Sequence, residues 1–475
     1  MLEKLFRLNE NKTTAKTEFI AGLTTFMTMA YIIALNPNLL TNFGEHGKDL
    51  WNGVFMATCI ASAFGMFVMA FAANKPFAMA PGMGLNIFFA QIVSNLVVIT
   101  GMSYLECYQS VLVIVLIEGV IFVVLSVLSI REKIVDAIPL GVRLGIAPAI
   151  GMMLLNIGFG SNAQVFSDNG DSFYMMRDFF GSLTAGMAKD KLQNGYLEMV
   201  LTVVTAFIGL FVIIILAQKG KKAAVLIGML IASLVYWGGE YWVLEKNPFE
   251  SLEGASWMPP IADMRSTTLF KFNFSGFLSI GTFTVVTLIV TFCIIDMFDT
   301  IGTFVGTASR AGMLDENGKM PKMREALMAD AIGTVVGSST GTSTVTTYIE
   351  SASGVEAGGR TGLTALTTGL MFLACMFLAP IAALIPSAAT SSAIIYVGLL
   401  MLSGLKKIDF DDVSQCVPVG LMLIAIPISN SIGHGIGIGL IAYTIIKIFT
   451  GKIEDVSILT MVISFIFLMK FFLAI

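Results

Sequence analysis

Charge is what this chain has least of. Only 13% of its 475 residues are Asp, Glu, Lys or Arg, while 56% are hydrophobic. A soluble domain carries roughly 25% charged residues because its water-facing surface needs them, so a chain of this length and composition is read as an integral membrane protein. Histidine is scarcer still: His46 and His434 are too few for a haem bundle or a zinc site. The five cysteines, Cys59, Cys107, Cys293, Cys375 and Cys416, share no close spacing, which excludes a disulfide framework and a thiolate metal cluster. Neither sign of charge dominates, with 28 basic residues against 32 acidic, so nucleic-acid binding is excluded. No cofactor motif appears either. No Gly-Lys-Ser/Thr follows a glycine run, and the glycines at 433, 435, 437 and 439 lack the dinucleotide spacing and instead permit close helix packing. Any proton chemistry therefore falls to carboxylates.

What is abundant is apolar runs of spanning length. They lie near 17–40, 52–73, 82–99, 105–129, 137–158, 195–217, 222–243, 276–305, 322–338, 351–361 (short), 362–381, 386–405, 413–429 and 432–450, with a further run at 456–474. The first has no small-residue cleavage site after it and reads as a retained span. With the N-terminus in the cytoplasm, seventeen Lys and Arg fall in inside segments, including Lys4, Arg7, Arg131, Lys133, Lys319 and Lys406. Seven fall outside, six of them in the long loops 159–194 and 244–275. Seven spans precede residue 250, and an odd number per half places two homologous halves in opposite orientations. Spacing hints at the same plan. Tyr31 precedes Gly82 by 51 residues and Asp299 precedes Glu350 by 51, while Ile138-Pro139 and Ile385-Pro386 each open the fifth segment of a half.

Two spans contain sequences that a continuous transmembrane helix would not. The third opens Lys75-Pro-Phe-Ala-Met-Ala-Pro-Gly-Met-Gly-Leu-Asn86, and the stretch before the tenth is the Ser/Thr-rich run 337–354. Both are read as short extended segments leading into helices. Non-helical backbone at membrane depth survives only where protein or a cavity satisfies its polar groups. The eighth span carries Asp296 and Asp299 three residues apart, hence on one helical face, with Thr300 and Thr303 adjoining. Each Asp costs roughly 2.5 to 3.5 kcal/mol at a span centre, so the pair and Glu350 are candidates for binding or proton coupling. Glu118 and Asp330 are read as either structural partners or functional acids.

At Pro81-Gly82-Met83-Gly84-Leu85-Asn86, at Asp296-Met-Phe-Asp-Thr-Ile-Gly-Thr303 and at Glu350-Ser351, Gly354 and Arg360-Thr361-Gly362, the chain resembles azaguanine-type purine permeases. These are related to the uracil and xanthine permeases of the nucleobase-cation symporter family. The resemblance implies an all-α polytopic membrane protein of about 14 spans in two inverted repeats of seven. It further implies a core domain from 17–130 and 276–381 and a gate domain from 137–243 and 386–450, with 456–474 as an extra apolar segment. Carried over residue by residue, it implies substrate contacts at Glu350, Asp296, Asp299, Asn86 and Gly84, with Ala80, Ile349, Ser351 and Thr303 beside them. Proton coupling would fall to Asp299, Asp296 and Glu350, and gating or specificity to Arg360 and Gly354. The chain departs from uracil permeases in having Thr303 where they carry a histidine, and from the common Gln-Asn or Glu-Asn pair in having Glu350-Ser351. Helical phase lets either Asp touch the base; Asp299 is expected to weigh more on transport and Asp296 on affinity.

The expected function is import of a purine base (adenine, or guanine and hypoxanthine) by proton symport across the plasma membrane, with no enzyme activity and no cofactor. Partners are then the base, protons and the lipid bilayer, and a homodimer is compatible with this plan. A carboxylate accepts two parallel N–H bonds from a purine edge, and Phe77, Tyr31 or Phe298 could stack on its face. Two other classes compete: an anion transporter of the same architecture, which excess carboxylates disfavour, and an intramembrane hydrolase using paired aspartates.

Overall fold

Length and capping turn the apolar runs into helices. A helix rises 1.5 Å per residue, so about 20 residues cross the roughly 30 Å hydrocarbon core. In a computed structural model, the described residues are 2–42, 44–128, 138–163, 196–252, 255–310, 313, 320–429 and 431–473. Arg131, Lys133, Lys319 and most of the 159–194 loop lie outside them, as does the Phe298 side chain. The main elements of the first half are α1 (Ala15–Met29), α2 (Ile32–Leu40), α3 (Lys48–Val68), β1 (Met79–Pro81), α4 (Met83–Thr100), α5 (Tyr104–Val127), α6 (Leu140–Ile157), α7 (Tyr196–Gln218) and α8 (Ala224–Trp242). The second half contributes α9 (Thr282–Arg310), α10 (Met323–Thr340), β2 (Val345–Thr347), α11 (Ser351–Glu356), α12 (Gly362–Ala374), α13 (Ser387–Met401), α14 (Val413–Ser429), α15 (Ile432–Phe449) and α16 (Ile458–Leu473). Ten described helices are long and apolar enough to cross a membrane, and three shorter apolar ones accompany them. The protein is mostly helical and multi-pass.

Several boundaries differ from the sequence expectation. The run 276–305 is split at Gly281, whose φ of +91° ends the short helix Phe274–Ser279 before α9 begins. The short tenth span shrinks to the six residues of α11, because Gly358 at φ +104° turns the chain directly after it. The first span is continuous from Ala15 to Leu40 in its backbone direction, but its ladder is interrupted at Ala30 and Tyr31, with Pro37 inside α2.

The chain divides into two compact units. The first comprises Met1–Ile138, Met258–Ala379 and Ser457–Ile475, so α16 belongs with the unit that begins the chain. In it α10 packs against α3 and α5, and α12 against α1 and α3. Helix approach depends on glycine at Gly119, where a Cβ would stand 2.9 Å from Val335 Cγ2, and at Gly22, where it would stand 2.6 Å from Thr367 Cβ. The second unit comprises Pro139–Trp257 and Pro380–Val456. Its helices α6 and α13 each start directly after a proline, Pro139 or Pro386, and cross where Gly151 and Gly398 face each other's carbonyl oxygens. The 433–439 glycines seat α15 on α14, with Gly435 against Ile426 and Gly439 against Met422.

The unit that carries the interrupted spans is built around a two-stranded antiparallel pairing of β1 with β2, in the register Met79↔Thr347, Ala80↔Thr346, Pro81↔Val345. Both strands are edges, so each leaves backbone groups that lipid could not satisfy. Side chains and loop backbone take them. Ser351 Oγ accepts the Ala78 N–H at 2.9 Å, Thr334 Oγ1 donates to the Val345 carbonyl at 3.1 Å, and the Pro81 carbonyl accepts from Tyr348 Oη at 2.5 Å and Asn86 Nδ2 at 3.2 Å. Gly82 N–H donates to the Thr344 carbonyl at 3.0 Å, and Tyr348 N–H to Ala78 at 3.0 Å.

Candidate substrate site in the first unit

The strand crossing is held from every side by buried polar groups. The loop 341–344 that feeds β2 is gripped residue by residue. Tyr108 Oη donates to the Gly341 carbonyl at 2.8 Å, Asn36 Nδ2 to Thr342 Oγ1 at 2.9 Å, and Ser343 Oγ bonds Asn86 Oδ1. Thr344 Oγ1 donates to Glu118 Oε2 at 2.7 Å. Gly341 itself has φ +108° and a Cβ there would lie 2.1 Å from Thr268. Glu118, read from the sequence as either structural or functional, is thus an anchor for the strand from the middle of α5.

Against this crossing, α9 brings its two aspartates into different surroundings. Asp296 is fully buried, and Thr300 one turn on connects it to α10: its Oγ1 lies 3.1 Å from Asp296 Oδ1, 3.0 Å from Asp330 Oδ1 and 2.7 Å from Thr346 Oγ1. Asp299, in contrast, is partly exposed. A Cβ on Gly82 would stand 3.6 Å from Asp299 Oδ2 and only 2.6 Å from Thr346 Cγ2, so the carboxylate reaches the strand end because residue 82 has no side chain. Asp299 lies within electrostatic reach of both Asp296 and Glu350.

Glu350, partly exposed at the start of α11, completes the group. Tyr31 Oη donates to its Oε1 at 2.9 Å, from the point where the α1–α2 ladder is interrupted. Tyr31 is 2% exposed, so its contribution is a fixed donor to the carboxylate and not a stacking face. Phe77, also named as a stacking candidate, is fully buried and packs 5.4 Å from Phe304, ring centre to ring centre. Ile349 is 60% exposed beside Glu350, and Thr303, one turn beyond Asp299, is buried. Asp299 and Glu350 are accordingly the acidic residues of this cluster that keep some solvent exposure.

The remaining sequence candidates sit in the frame. Ala80 and Gly84 are buried. Asn86 is committed to Ser343 and Pro81, and Ser351 to Ala78. Gly354 is where α11 touches α1, since a Cβ would lie 2.1 Å from Thr25 Oγ1. Arg360 Nη1 donates to the carbonyls of Val355 and Gly359, at 2.6 and 2.7 Å. Glu18 is a structural anchor that no sequence motif marked. Fully buried near the start of α1, it accepts from the backbone N–H groups of Arg360 and Thr361 at 2.8 and 3.2 Å and from Thr364 Oγ1 at 2.6 Å, closing the N-terminal end of α12. Its position at the edge of the first apolar run reads as an ordinary interfacial charge. Among the described residues no group of His, Cys, Asp and Glu has the arrangement of a metal site.

Comparison with known proteins places this geometry in context. A family profile described as a permease family, Xan_ur_permease, matches residues 16–436. The adenine permease AdeP of Escherichia coli is 36% identical over 470 residues, covering 99% of this chain and 96% of that protein. The guanine/hypoxanthine permease PbuO of Bacillus subtilis is 33% identical over 473 residues, covering 99% and 100%. A protein of Methanocaldococcus jannaschii with a provisional permease name is 39% identical over 470 residues, covering 99% and 98%. Among solved structures, the transmembrane domain of the cyanobacterial bicarbonate transporter BicA matches with a TM-score of 0.60 at 14% identity, covering 90% of this chain and 97% of that one. SLC26A9 matches with a TM-score of 0.64 at 12% identity, covering 92% and 67%. At such identities these two share the fold alone.

Proposed function

Because the chain belongs to the xanthine/uracil permease family, we propose that it is a secondary active transporter importing a purine nucleobase by proton symport across the plasma membrane. The observation that carries this reading is the placement of two partly exposed acidic residues, Asp299 and Glu350, within electrostatic reach of each other beside the strand crossing. A flat base presents adjacent N–H donors along its edges, and each carboxylate accepts two such bonds. Anions would be repelled, so the fold shared with a bicarbonate transporter does not extend to its substrate.

In this reading Asp299 and Glu350 bind the base, with Ile349 and Thr303 lining the same approach. We assign the two aspartates the other way round from the sequence expectation, on the strength of their burial. Asp296, enclosed with Thr300 and Asp330, is the coupling member, and Asp299 the affinity member. Ala80, Gly84, Asn86 and Ser351 hold the strand ends that aim the carboxylates, and Gly354 and Arg360 set how α11 leans on α1. The two compact units correspond to a core (with 17–130 and 276–381) and a gate (with 137–243 and 386–450), in fourteen spans forming two inverted repeats and with a cytoplasmic N-terminus. Support for the repeat comes from the matching Pro-led helices α6 and α13 and from the two strand-then-helix interruptions.

The test is uptake of labelled adenine, guanine and hypoxanthine in a bacterium lacking its own purine transport. At least one base should accumulate, and a protonophore should collapse the gradient. Accumulation driven by sodium alone would refute the coupling ion, and no uptake of any base would refute the substrate class.

A further inference from the structure

The hydroxyl of Thr300 meets more oxygens than its hydrogen can serve. Its Oγ1 lies 3.1 Å from Asp296 Oδ1, 3.0 Å from Asp330 Oδ1 and 2.7 Å from Thr346 Oγ1, and all four residues are buried. A threonine hydroxyl gives one hydrogen and accepts two, while an ionised carboxylate only accepts. With both aspartates ionised, three contacts share two hydrogens, one from Thr300 and one from Thr346. One contact is then oxygen against oxygen with nothing between. The alternative divides one hydrogen between two negative carboxylates whose bonded oxygens are no more than about 6 Å apart, since both stand within 3.1 Å of the same atom, and away from water like charge opposes this.

A third hydrogen completes the count. With Asp330 protonated, its O–H and that of Thr346 both donate to Thr300, and Thr300 donates to Asp296. Two bonds are accepted and one is given, which is the full capacity of a hydroxyl. The mirror arrangement, with the proton on Asp296 and Thr300 donating to Asp330, serves equally well. The two interconvert by moving one hydrogen across each carboxyl contact of Thr300, so the proton belongs to the pair and not to either residue. The pair joins two helices, because Asp296 and Thr300 stand on α9 and Asp330 on α10, and Thr346 ties it to β2.

We infer that Asp330 is the second half of the coupling group: Asp296 and Asp330 hold one transported proton between them through the Thr300 hydroxyl, and this structure is the proton-loaded form. Release of the proton from either carboxyl leaves both ionised, makes the group one charge more negative and breaks one of the three contacts. Thr346 carries that change to the base site. A Cβ on Gly82 would stand 2.6 Å from Thr346 Cγ2 and 3.6 Å from Asp299 Oδ2, so Thr346 touches both the proton group and the strand end beside Asp299. The other titratable groups around this region among the described residues are Asp299 on α9, Glu350 and Tyr348 after β2, and Glu118 of α5, which Thr344 holds two residues before Thr346. The inference rests on the proton-symport reading and deepens it, since that reading gives coupling to Asp296 alone.

Infrared difference spectroscopy on the purified full-length protein reads the proton without any base, through the C=O stretch of a protonated carboxyl at neutral pH. Asp330→Asn and Asp296→Asn should each remove the same band, because the new amide donates an N–H to Thr300 and the remaining aspartate is ionised. Thr300→Val keeps both carboxyls and removes the bridge, so it should shift that band. Transport supplies the second reading. Asp330→Asn cannot release a proton, so accumulation of labelled purine against its gradient should be lost while exchange of labelled for unlabelled base, which moves no net proton, persists; Asp330→Glu should recover part of the accumulation. A band that neither Asn variant removes overturns the loaded proton, and loss in one variant alone overturns the sharing. An unmoved band in Thr300→Val overturns the bridge, and full accumulation by Asp330→Asn overturns its place in coupling. Failure of the purine reading itself would appear elsewhere, as the absence of uptake by the wild-type protein.

Discussion

Replacing Tyr31 by Phe removes one oxygen and leaves the ring, so it isolates the hydrogen bond to Glu350. Tyr31 is buried and its hydroxyl meets Glu350 Oε1 at 2.9 Å, so no water replaces it in the variant and no cavity larger than the oxygen forms. A hydrogen bond to a charged group contributes about 1.5–3 kcal/mol in total. Most of that stabilises the folded protein with or without ligand and cancels in a binding measurement. What remains is orientation. A free Glu side chain loses up to about 1.5–2 kcal/mol of rotamer entropy when fixed, and the tyrosine has already removed part of it. If half is reintroduced, binding weakens by about 0.7–1 kcal/mol, a three- to sixfold rise in Kd. Calorimetry on the purified variant reads this, with Glu350→Asp run beside it and expected to lose ten- to a hundredfold, since a charge-assisted contact is misplaced by about 1.5 Å, one methylene. An unchanged Kd in Tyr31→Phe while Glu350→Asp weakens would show that the tyrosine does not position the carboxylate. A loss as large as that of Glu350→Asp would mean that the hydroxyl itself touches the base.

Thr300→Val, isosteric but without the hydroxyl linking Asp296, Asp330 and Thr346, should lose gradient-driven accumulation while keeping equilibrium binding within about threefold; retained accumulation against a gradient would remove this cluster from coupling. Gly82→Ala places a Cβ 2.6 Å from Thr346 Cγ2, so the strand end must shift, and transport should fall by more than tenfold with a lower melting temperature. Wild-type activity there would mean the crossing is plastic. Glu18→Ala strips the acceptors from two backbone N–H groups and Thr364, which should destabilise by about 1–3 kcal/mol in thermal unfolding and leave Kd unchanged.

Composition alone determined the solvent this protein lives in, because too few charges exist to cover a globule and the apolar runs match a bilayer's thickness. The interruptions were equally legible. Two prolines and two glycines in 76–84, and alternating Thr and Ser before Glu350, cannot make a helix with a continuous apolar face, and both became strands. The carboxylates stood out for the same reason: charge in hydrocarbon is costly and draws attention wherever it falls. Pairing was not legible. That Tyr31 would meet Glu350 across 319 residues, that Glu118 would hold Thr344, and that Glu18 would close α12 depend on which helices lie side by side. Helical phase put Asp296 and Asp299 on one face and could go no further, since two residues three apart differ by about 60° around the axis. The tertiary structure sets their surroundings apart, enclosing Asp296 with Asp330 through the Thr300 hydroxyl while Asp299 keeps some exposure, because burial is a property of neighbours and not of sequence position.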